Sequence, residues 1–234
     1  MKVKVTSDTH GYFPDIDSPF DLLLICGDVC PAHDHYYAFQ KNWIENDFVH
    51  WISMLPFKND DSKVVMIGGN HDFFFERANK NDADHLKKLT NGRLIVLKNE
   101  EYTFECMDED GLKSVKIFGT PYCKIFGSWA FMISNEGLAE KYDEIPFDVD
   151  ILISHDSPTI NNLGLIQEGW NAGVDAGNTI LDKYIKERKP HYFFSGHIHS
   201  GNHTFEEVDG TKMANVSYIN ERYNPAYNVL EFDM

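Results

Sequence analysis

The chain has 234 residues and is 42% apolar, which is enough for one large domain or two small ones with a substantial core. It carries 37 acidic and 21 basic residues and has a formal net charge of −16, a balance that argues against nonspecific nucleic-acid binding through a basic face. A phosphate-bearing substrate is still allowed, because a bound metal ion reverses the local field.

The sequence has no feature typical of a membrane or secreted protein. No apolar run approaches the roughly 18 residues of a membrane span, and no secretory signal pattern opens the chain. The four cysteines, Cys26, Cys30, Cys106 and Cys123, lack Cys-x-x-Cys spacing, so we expect free thiols, a reducing compartment and a cytoplasmic location. Since no repeat or linker interrupts the pattern, residues 1–234 are predicted to form a single domain.

The first third of the chain predicts strands that each end in polar residues. These strands cover residues 1–8, 21–25 and 63–67, and the last two are apolar enough to be buried on both faces. Residues 35–55 carry apolar side chains at helical spacing and are predicted to form a helix that ends before Pro56. The polar residues that follow the three strands are Asp8 and His10, then Asp28, and then Asn70, His71 and Asp72. Taken one at a time, such endings are also typical of turns and helix caps.

The middle of the chain predicts a weak helix and an antiparallel hairpin. The helix covers residues 81–90, where the sequence is mostly polar. The hairpin arms are residues 102–107 and 114–118, and residues 108–111 form the turn between them.

The last third predicts two more strands that end in histidine. A strand over residues 150–154 ends in His155, and a strand over residues 191–195 ends in Gly196-His197-Ile198-His199. Two or three final strands are predicted, over residues 203–208, 213–219 and 228–232.

Two loops lie between these elements. The aromatic residues 125–131 are interpreted either as core filler or as a wall of a substrate cleft. The glycine-rich residues 161–177 are too many for a simple connection, which indicates a functional or mobile loop. Asn178 is then predicted to cap a helix over residues 179–189.

Five strand ends therefore carry residue types that bind metals. Strands that alternate with helical segments indicate βαβ units, in which the carboxyl ends of parallel strands share one edge of the sheet. One shared site explains five such endings better than five independent turns do. The oxygen and nitrogen donors predicted to meet there belong to Asp8, His10, Asp28, Asn70, His155, His197 and His199.

This donor set predicts two metal ions. It exceeds the four ligands of a tetrahedral zinc site and fits two divalent ions that share a bridging carboxylate, for which Asp28 is the natural candidate. Imidazole together with carboxylate oxygen favours Mn, Fe, Zn, Ni or Co over Ca or Mg, and we favour Mn. Two such ions carry more positive charge than Asp8, Asp28 and a bridging hydroxide neutralise, so the site is expected to attract a phosphate ester.

The chemistry predicted for this site is phosphoester hydrolysis by attack of the metal-bridging hydroxide. His71 directly follows a predicted ligand and is not needed as a ligand itself, so we expect it to protonate the leaving oxygen as a general acid. Asp72 is predicted either to orient His71 or to cap the next turn. The predicted catalytic residues are therefore His71 and Asp72.

The polar motifs, taken in order, resemble those of the calcineurin-like metallophosphoesterase superfamily. They are Asp8-x-His10, Gly27-Asp28, Gly69-Asn70-His71-Asp72, the strand-end His155 and Gly196-His197-x-His199. The resemblance implies an α/β fold, a four-layer αββα sandwich of two mixed β-sheets flanked by helices. It also implies that Asp8, His10, Asp28 and His199 bind one metal, that Asp28, Asn70, His155 and His197 bind the other, and that His71 is the catalytic acid.

Three further motifs resemble the small, single-domain phosphodiesterase branch of that superfamily. They are Ser154-His155-x-x-Pro158, the Gly119-Thr120-Pro121 loop that leads to Trp129-Ala130-Phe131, and Asn215-Val216-Ser217. The superfamily's protein serine/threonine phosphatases carry an Asp-Arg pair and another Arg at positions that are Pro31, Ala32 and Gly68 here. Without guanidinium donors, a site captures a dianionic monoester less well. We therefore expect a small phosphodiester substrate, such as a cyclic nucleotide. A phosphomonoesterase or phosphoprotein phosphatase is one alternative, and a non-catalytic scaffold on the same fold is another.

Overall fold

The computed structural model describes residues 1–108 and 111–234, so the centre of the turn predicted at residues 108–111 lies outside the described residues. The strands are β1 (Lys2–Thr6), β2 (Leu22–Ile25), β3 (Lys63–Ile67), β4 (Leu94–Leu97), β5 (Glu100–Asp108), β6 (Gly111–Thr120), β7 (Cys123–Lys124), β8 (Met132–Ile133), β9 (Ile151–Ser154), β10 (Tyr192–Ser195), β11 (Glu206–Val208), β12 (Thr211–Asn215) and β13 (Leu230–Asp233). The helices are α1 (Tyr37–Trp43), α2 (Val49–Met54), α3 (Phe73–Arg77), α4 (Lys80–Leu89), α5 (Asn135–Asp143) and α6 (Thr179–Arg188).

The large strands form two mixed sheets. The first has the order β13-β1-β2-β3-β4, in which β1 to β4 are parallel and β13 is an antiparallel edge. The second has the order β11-β12-β10-β9-β6-β5, in which the four inner strands are parallel and the two edges are antiparallel. The strands β7 and β8 form a separate short pair.

Side-chain alternation along the buried strands creates three apolar layers. Successive residues of a strand point to opposite faces, so Leu24 and Ile153 pack between the two sheets whereas Leu23 and Leu152 pack on the outer faces. The outer face of the first sheet is covered by Trp43, Ile52, Phe74 and Leu86 from α1 to α4, and that of the second by Leu138 and Leu181 from α5 and α6. This arrangement confirms the predicted αββα sandwich.

The helix predicted over residues 35–55 is present but not uniform. The chain runs from α1 through a π-helical segment, Ile44–Phe48, into α2, and the helix ends at Leu55 before Pro56. The predicted cap of α6 is confirmed, because the Asn178 side chain accepts the backbone N–H groups of Ile180 and Leu181. None of the helices in the described part of the chain is long and apolar enough to cross a membrane.

The carboxyl ends of the parallel strands in both sheets form one shared rim. Ser7, just after β1, forms a parallel bridge with Ser217, two residues after β12. The backbone N–H of Tyr218 donates to the carbonyl oxygen of Ser7 over 2.8 Å. The loops that follow β1, β2, β3, β9 and β10 therefore meet at this rim, where the sequence places its polar motifs.

Candidate metal centre

The predicted ligands converge on the rim in two overlapping groups. Donor atoms of Asp8, His10 and His199 lie within 4.8 Å of one another, and so do those of Asp8, Asp28 and His155. Apart from the half-buried His197, every predicted ligand is buried. These groups bring together residues from four strand ends that are far apart in the sequence.

Asp28 faces one imidazole from each of the two groups. Its Oδ2 atom is 3.6 Å from Nε2 of His10 and 3.4 Å from Nε2 of His155. Its Oδ1 atom accepts the backbone N–H of His71 over 2.7 Å, which fixes the rotation of the carboxylate. One oxygen is therefore held where it faces a ring from each side, as a bridging ligand requires.

Asn70 and two histidines form one side of the centre. The Asn70 Oδ1 atom is 2.8 Å from both Nε2 of His155 and Nδ1 of His197. Because Nδ1 of His155 donates to the carbonyl oxygen of Cys26 over 2.9 Å, its Nε2 atom is the nitrogen left to face the site.

Asp8 and His199 form the other side. The Asp8 carboxylate accepts the backbone N–H of His197, at 3.1 Å and 3.0 Å from its two oxygens, and the hydroxyl of Ser217 at 2.9 Å. Its Oδ1 atom lies 3.5 Å from Nε2 of His199. The other ring nitrogen of His199 donates to the carbonyl oxygen of Asn220 over 3.2 Å, so Nε2 is again directed inward.

The pKa values of the histidines in this site are shifted in opposite directions. Burial lowers the pKa of His155, but the carboxylates of Asp28 and Asp8 outweigh it and raise the pKa to about 10. Burial lowers the pKa of His10 to about 4 and that of His197 to about 3. Both ring nitrogens of His10 are buried without a hydrogen-bond partner among the described residues. Uncharged imidazoles beside buried carboxylates are suitable ligands for divalent ions.

Comparison with known proteins identifies the family. The family profile described as calcineurin-like phosphoesterase matches residues 1–201. The chain belongs to this family. The family is described as phosphoesterases, and the clustered Asp and His residues of this chain could hold metal ions.

The chain is also similar to two curated proteins and to a solved structure. It is 28% identical to UPF0046 protein T07D4.2 of Caenorhabditis elegans and 27% identical to Metallophosphoesterase domain-containing protein 1 of Homo sapiens, with 97% of the chain covered each time. It spans 58% of the length of the nematode protein and 69% of the human one. Among solved structures, phosphopantetheinyl hydrolase (PptH) from Mycobacterium tuberculosis shares the fold, with a TM-score of 0.54 at 14% identity over 95% of this chain and 90% of that one.

The backbone of this family member is strained at four of its seven predicted ligands. The φ angle is 51° at Asp8, 43° at His10, 54° at Asp28 and 68° at His197. These angles lie in the left-handed region, which residues other than glycine rarely adopt. Such conformations are held by their surroundings and concentrate at functional sites. Here they turn four side chains inward at the point where a strand ends.

The side chain of Asp72 joins two loops of the site. One of its oxygens accepts the backbone N–H of Cys30 over 2.9 Å, and the other accepts those of Val29 and Gly69 over 3.3 Å and 2.9 Å. Its side chain does not cap α3, and no hydrogen bond joins it to the ring of His71 within the described residues. Both oxygens tie the Asp28 loop to the Asn70 loop, and a catalytic role of Asp72 stays a prediction.

The aromatic loop, residues 125–131, is divided between the core and the wall of a cavity. Ala130 and Phe131 lie in the core, whereas Phe126 and Trp129 line a cavity of about 380 Å³ that contains Asp28 and Asn70. The predicted acid His71 lines the same cavity, with its ring centroid 4.5 Å from that of Trp129.

The glycine-rich loop is ordered where it reaches this cavity. Ile166 exchanges backbone hydrogen bonds with Gly173 and Val174, and the loop carries the fully exposed Trp170 at its tip. The loop contributes Ile166 and Asn171 to the cavity wall, and its functional role stays a prediction.

Gly69 permits a close approach between two predicted ligands and yields a prediction. A Cβ atom at Gly69 would lie 2.3 Å from Oδ1 of Asp28 and 2.6 Å from Cε1 of His155. We expect Gly69→Ala to displace both side chains and to weaken Mn²⁺ binding by about 10- to 100-fold, as found for residues that support metal ligands. Metal affinity is measured by competition with a chelating dye.

The matched control is Gly137→Ala in α5. Its Cβ atom would come no closer than 3.4 Å to a neighbour, and alanine is favoured over glycine within a helix. Equal Mn²⁺ affinity for Gly69→Ala and Gly137→Ala would contradict the proposed location of the metals.

Proposed function

We propose that this chain hydrolyses the phosphodiester bond of a small substrate with two divalent transition-metal ions, Mn²⁺ being the favoured ion. The observation that carries the proposal is the position of Asp28, whose Oδ2 atom lies within 3.6 Å of an imidazole from each donor group. A carboxylate in that place suits two ions that share a ligand. Hydrolysis also follows the family to which the chain belongs.

We assign the ligands to the two ions as the sequence motifs suggest. In this proposal one ion is held by Asp8, His10, Asp28 and His199, and the other by Asp28, Asn70, His155 and His197. The fit is supported by the unpartnered ring nitrogens of His10 and by the inward-facing Nε2 atoms of His155 and His199. When bound, the ions would supply positive charge at the phosphate and lower the pKa of water towards about 7.

His71 is proposed as the general acid. Its ring lies 4.8 Å from that of His10, close to the donor groups, while its backbone N–H is held by Asp28. A proton on this imidazole can pass to the leaving oxygen as the ester bond breaks.

The preference for a diester follows from the charges around the cavity. Among the described residues that line it, Lys124 is the only one with a lysine or arginine side chain, and its ammonium group donates to the carbonyl oxygen of Gly177 over 2.7 Å. Glu221 adds an acidic group to the same wall. Such a wall offers little to the second negative charge of a monoester, whereas a diester has only one.

The test compares bis-4-nitrophenyl phosphate with 4-nitrophenyl phosphate. With saturating Mn²⁺, kcat/KM is expected to be at least about tenfold higher for the diester. Chelation should abolish both activities, and Mn²⁺ should restore them. Faster turnover of the monoester would favour a phosphomonoesterase. No turnover, together with fewer than one Mn²⁺ per chain, would favour a non-catalytic scaffold and end the proposal.

A further inference from the structure

A second imidazole contacts the ring of His71. Nε2 of His35 and Nδ1 of His71 are 3.0 Å apart, within hydrogen-bond distance, although α1, α2 and β3 lie between the two residues in the sequence. His35 belongs to the loop between Asp28 and α1, and no motif in the sequence marks it as functional.

The ring of His35 is itself held in place. It lies against Trp129 edge to face, with centroids 5.1 Å apart, and against Phe73 at 5.7 Å. The preceding residue, Asp34, accepts the backbone N–H of Tyr36 over 2.9 Å and so fixes the turn that presents His35. The imidazole is half-buried and has little freedom to rotate away from His71.

The backbone of His71 is held by different contacts. The buried side chain of Gln40 donates to the carbonyl oxygen of His71 over 2.7 Å and accepts the backbone N–H of Phe74 over 2.9 Å. Asp28 accepts the backbone N–H of His71. Loss of His35 therefore leaves the position of the His71 backbone fixed and frees only its ring.

We propose that His35 is the positioning residue for His71, an inference that depends on the proposed function of His71 as general acid. Nδ1–H of His71 donates to Nε2 of His35, which carries its own proton on Nδ1. The proton that His71 transfers is then the one on its Nε2 atom. When that proton moves to the leaving oxygen, Nδ1–H stays hydrogen-bonded to His35, and the ring ends as the neutral Nδ1–H tautomer.

This arrangement assigns to a histidine the work for which a carboxylate would be the usual choice. Asp72, the nearest acidic residue in the sequence, has both oxygens engaged with backbone N–H groups. A neutral imidazole fixes the orientation and tautomer of its partner without adding a negative charge beside the phosphate.

The test uses diaryl phosphates whose leaving groups become progressively more basic: bis-2,4-dinitrophenyl, bis-4-nitrophenyl and diphenyl phosphate. A general acid matters most when the leaving group is basic, so His35→Ala should lower kcat for diphenyl phosphate by about tenfold or more and for the dinitrophenyl ester far less. KM and bound Mn²⁺ should stay as in the unmodified protein. His35→Gln, whose amide oxygen accepts Nδ1–H, should recover part of the loss.

A second readout does not depend on activity. Long-range ¹H–¹⁵N spectra of the metal-free protein should show the His71 ring, assigned by its disappearance in His71→Ala, in the Nδ1–H tautomer. In His35→Ala the same ring should become a mixture of tautomers. The control is His33→Ala, an exposed histidine of the same loop that contacts Phe39.

The outcomes separate this inference from the proposed function. If the unmodified protein turns over none of the esters, the proposed function fails. If His71→Ala shows a loss that grows with leaving-group basicity while His35→Ala shows none, or an equal loss on all three esters, then only the role of His35 is overturned. An unchanged His71 tautomer in His35→Ala would overturn it as well.

Discussion

Replacing Asp28 by asparagine is expected to remove bound Mn²⁺ and to lower the rate of phosphodiester hydrolysis by at least about 10³-fold. Asparagine keeps the oxygen that accepts the His71 N–H, so the loop retains its shape. What it loses is the negative charge between His10 and His155, which the structure places 3.6 Å and 3.4 Å away. The several kcal/mol that metal ions contribute to phosphoryl chemistry would be lost with it.

Asp21→Asn is the matched control for this experiment. Asp21 is an equally buried carboxylate that precedes β2, whereas Asp28 follows the same strand. It accepts the backbone N–H of Lys2 and the ammonium group of Lys58, so its replacement should lower stability and leave metal content unchanged. Metal content is measured by elemental analysis after Mn²⁺ loading and dialysis. Two retained ions in Asp28→Asn would refute the bridging role.

Truncation of His71 to alanine should lower kcat by about 10²- to 10⁴-fold on a diester with a basic leaving group such as diphenyl phosphate. The expected cause is loss of the proton donor, because His71 is not one of the proposed ligands and its backbone is held by Asp28 and Gln40. Bound Mn²⁺ should therefore remain near two per chain. Steady-state kinetics and elemental analysis on the same sample check both statements.

The surface histidine His85 of α4 provides the control for His71→Ala. It is exposed and lies 3.4 Å from Glu45, away from the metal centre, so His85→Ala should match the unmodified protein. A His71→Ala enzyme with full activity on diphenyl phosphate would show that another group protonates the leaving oxygen. A loss of metal equal to the loss of rate would show that His71 acts as a ligand.

The convergence of the site could be predicted because two local signals combine with one topological rule. Each strand is a continuous apolar run, as in β2 and β3. Each is followed by polar residues such as Asp28 or Asn70, whose burial costs free energy unless they have binding partners. Parallel strands bring such ends to one edge. The sandwich follows from the same apolar runs, since a strand that is buried on both faces needs a layer on each side.

The positioning contacts could not be predicted, because they depend on tertiary neighbours rather than on local pattern. His35 meets His71 only because Gln40 of α1 and the Trp129 loop pack beside them. The hydrogen bonds of Asp72 could not be predicted for the same reason, since its partners on the Asp28 loop are about 40 positions away in the sequence.

Two further elements had weak signals. Helix α5 buries only Leu138 and Tyr142, one turn apart, within a charged segment, so its apolar periodicity is slight. Ser134, whose side chain accepts the backbone N–H of Gly137, was the available signal for its start. The π-helical segment between α1 and α2 leaves no mark in the apolar spacing, because Ile44 and Phe48 are buried as they would be in a regular helix.

The left-handed backbone at Asp8, His10, Asp28 and His197 has a consequence for the stability of the chain. At each position glycine would relieve about 1 kcal/mol of conformational cost, so the chain gives up this stability to orient four side chains. Glycine at Asp8 or Asp28 would also remove the acceptor of a backbone N–H. The backbone conformation at these four positions therefore favours glycine, whereas the predicted metal centre needs their side chains.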